Sequence, residues 1–143
     1  MVTPISEGVA FVRRHPEMFF GDAPDRSLLC ATQIAEEALA LGATSVRIEK
    51  EDPWWIIASD YDWFRDVPPE DLFKKIIPLP EVGANSCRRE VVLGAFAEAI
   101  ASVDSVGTRS IMSGEAPPEV VWSAMDARRG RALAFRFPSR DCG

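Results

Sequence analysis

Residues 25–59, "DRSLLCATQIAEEALALGATSVRIEKEDPWWIIAS", decide the fold. Asp25 is a helix-capping residue type, and Leu28, Leu29, Ile34, Ala38 and Leu41 follow it at roughly helical spacing until Gly42. A cap, an apolar period near 3.6 and a terminal glycine together predict one helix. After Gly42 the period changes. In "TSVRIEKED" Val46 and Ile48 alternate with polar neighbours, "WWIIAS" is a compact apolar run, and Asp52-Pro53 lies between them. Two strands closed as a hairpin are expected. Trp54 and Trp55 then face opposite sides of the sheet, so at least one indole belongs to the core and the other covers or exposes an edge.

Upstream, Ser6 is placed to cap a short first helix carrying Val9, Phe11 and Val12, bounded by Pro16. Downstream, Pro68, Pro69, Pro78, Pro80 and Gly83 prevent any long element from running through residues 66–86. Ser86 is placed to cap a third helix, Cys87 to about Ser102, with Val91, Val92, Ala95, Phe96, Ala99 and Ile100 facing inward. Three strand-like stretches close the chain, "SVGTRSIMS", "EVVWSAMD" and "RALAFRFP", the last two joined by the turn-like "ARRG". This order predicts a single α+β domain over residues 1–143, a two-layer sandwich with helices on one face of a mixed β-sheet.

With 143 residues, 47% hydrophobic and 27% charged, the chain suits one domain with a real core. Sixteen basic against twenty-two acidic residues leave a net charge of −6, which repels a phosphate backbone, so no nucleic-acid partner is expected. The small basic spots at Arg88-Arg89 and at Arg128, Arg129 and Arg131 read as solvated surface. Cys30, Cys87 and Cys142 are too scattered for a disulfide framework or a zinc knuckle. No apolar run approaches the roughly 18 residues that cross a membrane, and none reads as a signal peptide. No membrane partner and a cytoplasmic location are therefore expected.

The segment "VRRHPEMFFGD", Val12 to Asp22, carries a family resemblance. It resembles the V-R-x-R-P-x-M-Y-I-G-[DS] opening of the gyrase-B ATPase domain, found in DNA gyrase and type IIB topoisomerases, a branch of the GHKL superfamily. Val12, Arg13, Pro16, Met18, Gly21 and Asp22 match, Phe19 and Phe20 are conservative changes, and His15 stands where arginine is usual. "EEALA", Glu36 to Ala40, looks like the family's D-E-A-L-A, and "RRGRALAFRFPS" resembles its closing strand G-T-x-V-x-F-x-P-S. The resemblance implies a GHKL sandwich, an ATP site with Mg²⁺, and an arm at Phe19 and Phe20 that either packs on its own domain or reaches another protomer. Packing within the chain is the expected outcome here.

The chemistry of that family is not carried over. ATP hydrolysis there needs a glutamate as general base and, one helical turn on, an asparagine that holds Mg²⁺. The register set by "EEALA" puts Leu29 at the first position and Gln33 at the second. Leucine accepts no proton, and the longer glutamine amide fits the strict geometry of Mg²⁺ poorly. The family's D-x-G-x-G, which receives adenine, corresponds to "SDYDWF", with Asp60 at the adenine position or, under a shifted register, Ser59 or Asp62. Asp62 and Trp63 place charge and bulk where the ligand would lie, so Trp63 is expected as a plug. No phosphate-cradling loop is encoded either: the glycines at 8, 21, 42, 83, 94, 107, 114, 130 and 143 are never closer than seven residues. Arg88 and Arg89 remain as a weaker anion site.

Other catalytic constellations would all route through the single histidine, His15, and neither "SDYDW" nor "PPEDLF" has a metal-loop pattern. No catalytic residue and no metal ligand is assigned. The expectation is a non-catalytic interaction or regulatory module whose partner is a protein, either a GHKL-type protein or a second copy, with interaction residues Phe19, Phe20 and Trp63 and no cofactor. The alternative is a protein that holds ATP or a purine, with Mg²⁺, through Gln33, Asp60, Arg88 and Arg89 without turnover.

Overall fold

The computed structural model describes residues 7–65, 67–125 and 130–138. Ser6, Arg128, Arg129, Cys142 and most of the "ARRG" turn lie outside the described residues. The elements are α1 (Gly8–Arg14), α2 (Pro16–Phe20), α3 (Arg26–Leu41), β1 (Val46–Glu51), β2 (Trp54–Ser59), α4 (Pro69–Leu72), α5 (Glu90–Phe96), β3 (Ala99–Val103), β4 (Arg109–Ser113), α6 (Glu119–Ala124) and β5 (Arg131–Arg136). The five strands form one sheet in the order β1-β2-β5-β3-β4. The α+β sandwich is as expected.

The local rules explain α3 and the first hairpin. The Asp25 carboxylate accepts from the Leu28 amide at 3.0 Å, and Gly42 ends the helix at φ +134°, which favours glycine. Val46 pairs with Ser59 and Glu51 with Trp54, so β1 and β2 close around Asp52-Pro53. α1 ends at His15, and Pro16, whose fixed φ suits a first helical position, starts α2.

Three expectations are corrected. The sheet is antiparallel throughout rather than mixed, because β1–β2 and β3–β4 are hairpins and β5 inserts between them antiparallel to both neighbours. The third helix spans only Glu90–Phe96: Arg89, not Ser86, is its N-cap, and Ala97 turns extended so that "AIASV" becomes β3. All five β3 residues are buried, and a strand covered on both faces has no alternation to distinguish it from a buried helix. "EVVWSAMD" holds a helix, α6, with Val121 and Met125 one turn apart and buried.

That helix also changes the layering. The main core lies between the sheet and α1, α2, α3, α4 and α5, and includes Val12, Phe20, Ile34, Ile57, Trp63, Phe64, Leu93, Ile100 and Phe135. The opposite face of β2, β3 and β5 presents Trp54, Ile56, Ala58, Ala99, Ala101, Val103, Ala132 and Ala134, and α6 covers it. The two tryptophans part as strand geometry requires: Trp54 is buried under α6, whereas Trp55 packs at the edge of the main core.

Candidate functional site

The loop "SDYDWF" after β2 is held from three sides. The Ser59 hydroxyl accepts from the Tyr61 amide at 3.0 Å. Asp62 receives a two-pronged ion pair from Arg131, Nε to Oδ1 and Nη2 to Oδ2, each at 3.0 Å, and the same guanidinium donates to the Ser102 hydroxyl at 2.8 Å. It also lies 4.0 Å from the centre of the Phe64 ring. Arg131 is thus an interior clamp, not the solvated surface charge its sequence context suggests. The backbone comes just as close: a Cβ on Gly130 would stand 1.8 Å from the Ser59 carbonyl oxygen, so only glycine fits.

Trp63, fully buried, occupies the centre of this arrangement. Its indole N–H donates to Glu90 Oε2 at 2.7 Å, and its ring meets Phe64 edge to face at 5.4 Å. Its carbonyl accepts from Arg88 Nη2 at 2.8 Å. Arg88 Nε reaches Glu37 Oε2 at 2.7 Å, and Glu37 Oε1 accepts from the Arg89 amide at 2.8 Å. Glu37, Arg88 and Glu90 are all buried, so α3, α5 and the loop meet through one desolvated polar network beneath a tryptophan. A single guanidinium faces two carboxyls there.

Burial, then the neighbouring Glu90, pushes the Glu37 carboxyl well above its ordinary value of 4.5, against the opposing pull of Arg88. Glu90 Oε1 has no hydrogen-bond donor among the described residues. A carboxyl with a raised folded-state value gives stability that is fully present below its unfolded value and is lost as pH climbs through the raised one. Glu37→Gln removes the titrating group and keeps one of the two acceptors, since its amide nitrogen donates where a carboxylate oxygen accepted. In urea titrations, wild type is therefore expected to lose ground against Glu37→Gln as pH rises above 4.5; a difference independent of pH would contradict a raised Glu37 carboxyl.

Of the other sequence candidates, Gln33 and Arg89 meet at one small cavity, which Asp60 does not line. Gln33 is half-buried and lines a small cavity of about 210 Å³ with Glu36, Glu37, Leu79, Val82, Ser86, Cys87 and Arg89. Leu29, one turn before it on α3, packs against the main core. Asp60 is exposed and serves the α3–β1 connection: it accepts from the Thr44 hydroxyl, the Thr44 amide at 3.0 Å and the Ser45 amide at 3.2 Å. The Thr44 hydroxyl above all holds its carboxyl below the usual range. Arg88 has no free face for an anion, while Arg89 sits half-buried with its guanidinium 5.8 Å from the Phe19 ring. Comparison with protein-family models, curated proteins and solved structures finds no match.

Phe19 and Phe20 are buried as well. Phe20 packs on Phe96 at 5.2 Å and Phe137 at 6.2 Å, and Phe19 meets Phe11 edge-on at 6.4 Å. With Trp63 they are interior residues, so none of the three presents a docking surface. His15 lies against Phe11 and Glu17, while burial pushes the Cys30 thiol up to about 12 and raises that of Cys87. Neither of these two cysteines is activated as a nucleophile.

Sequence reasoning missed Glu37 and Glu90. A signal existed for Glu37: it stands three residues after Ile34 and four before Leu41, on the inward stripe of α3. Glu90 precedes Val91 and Val92 with no comparable pattern.

Proposed function

We propose that the chain is a degenerate GHKL domain of the gyrase-B type, a pseudo-ATPase that works in the cytoplasm as a non-catalytic interaction or regulatory module. One observation carries this reading: the loop standing where a nucleotide-binding D-x-G-x-G would lie is folded inward around a fully buried Trp63 and bolted by Arg88 and Arg131. Leu29 at the general-base position and the dispersed glycines support it from the sequence. The space left beside α3, about 210 Å³, falls below the ~300 Å³ at which pockets for drug-sized ligands begin. A triphosphate has neither room nor a backbone cradle there. Its partner on this reading is a GHKL-type protein or a second copy of the chain.

Titration calorimetry with Mg-ATP is expected to give no binding heat, and a coupled phosphate assay no release above the protein-free rate. Micromolar affinity would overturn the proposal. The second reading, a purine held without turnover, draws on the convergence of Gln33, Glu36, Ser86 and Arg89 on the small cavity. Adenine in the same calorimeter separates the two.

A further inference from the structure

A second and larger cavity, about 510 Å³, lies away from the tryptophan network, and none of its lining residues is shared with the small cavity beside α3. Its walls are α1, the Phe73-Lys74 bend, α5 at Gly94, and the outer end of the sheet at β3 and β4. The lining is more apolar than polar and includes Val9, Ala10, Phe73, Ile100 and Met112. The walls are set by backbone contact. A Cβ on Gly94 would stand 1.8 Å from the Phe73 carbonyl oxygen, and one on Gly8 2.8 Å from the Ile76 amide nitrogen, so α5 and α1 both press on this bend. Such a space is preformed, as ligand pockets usually are.

Charge at the lining selects the occupant. Arg13 and Lys74 both border the cavity. Arg13 spends its Nε on the Ala95 carbonyl at 2.9 Å, and neither cation pairs with a carboxylate among the described residues. Glu7 also borders it, leaving an excess of one positive charge, which suits a singly charged head better than a phosphate dianion. We propose that this cavity binds an amphipathic monocarboxylate, its apolar tail on Phe73, Ile100 and Met112 and its carboxylate between Arg13 and Lys74. The site is independent of the pseudo-ATPase reading and would stand if that reading fell.

The test uses decanoate, decanol and decylammonium in amide-detected NMR titrations of the full chain. Decanoate is expected to saturate, with the largest shifts at Ala10, Gly94, Met112 and Ser113, and to bind more tightly than decanol, while decylammonium fails. Lys74→Gln alters an exposed side chain and is expected to weaken decanoate about fivefold, the upper end for a solvent-screened ion pair, without changing decanol. Ala10→Trp, which fills the cavity from α1, is expected to abolish both. Equal affinities for decanoate and decanol, unchanged affinity in Lys74→Gln, or shifts centred elsewhere would each overturn the proposal.

Discussion

Trp63→Ala is expected to be among the most destabilising single changes in this protein. It removes the largest fully buried side chain and leaves a cavity at the junction of the loop, α3 and α5. Truncations of this kind cost about 3–5 kcal/mol. It also strips Glu90 Oε2 of its indole donor at 2.7 Å, and Glu90 Oε1 already has no donor among the described residues. Orphaning a buried acceptor adds about 1–3 kcal/mol. Trp63→Phe narrows the comparison: it keeps a six-membered aromatic ring but loses the N–H together with the pyrrole part of the indole, so its cost is an upper bound on the Glu90 bond. Urea unfolding should place it about 1–3 kcal/mol below wild type, with Trp63→Ala well below that. If Trp63→Phe proved neutral, the Glu90 bond would contribute nothing.

Arg88→Met probes the same region through charge. Methionine matches the length of the arginine stem but leaves Glu37 and Glu90 buried without a cation, and the Trp63 carbonyl without its donor. Breaking a buried ion pair from one side costs about 3–5 kcal/mol. Adding Glu37→Gln removes one of the stranded carboxyls, so the double variant is expected to be more stable than the sum of the single effects predicts. Lowering the pH should also rescue Arg88→Met relative to wild type, since protonation neutralises the Glu37 carboxyl that lost its cation. Simple additivity in this double-mutant cycle would show that the network is not coupled as its geometry implies.

Elements were legible in the sequence where their signals are local. α3 was legible end to end, because Asp25 and Gly42 are chemical stops that work without tertiary context. The β1–β2 hairpin was legible because one strand alternates and the other is a short apolar run. β3 was not: with neighbours on both edges and cover on both faces, "AIASV" carries no polar beat, and the preceding helix runs into it with only Ala97 and Glu98 between. α6 was misread because Val120, Val121 and Trp122 favour strands, although Pro117 and Pro118 ahead of Glu119 mark a helix start and Val121 and Met125 lie one turn apart.

Within the candidate site the pattern is similar. The inward Trp63 was foreseeable from the bulk of "SDYDWF" in a place that a ligand would need empty. Its partners were not, since Arg88 and Glu90 sit 25 and 27 residues away from it, and Arg131 lies 69 from Asp62. Charged residues that pair across such separations look like surface until the fold brings them together. Asp60 illustrates the converse: its sequence position suggested a ligand acceptor, and the chain instead uses it to tie Thr44 and Ser45 at the start of β1.

On the proposed reading the protein's own side chains fill this interior, and it does not open to nucleotide. The indole N–H resonance of Trp63, assigned by its loss in Trp63→Phe, reports on it directly. With millimolar Mg-ATP a filled interior predicts an unshifted signal whose exchange with solvent stays as slow as in the free protein. A saturable shift, or exchange that quickens as nucleotide is added, would contradict it.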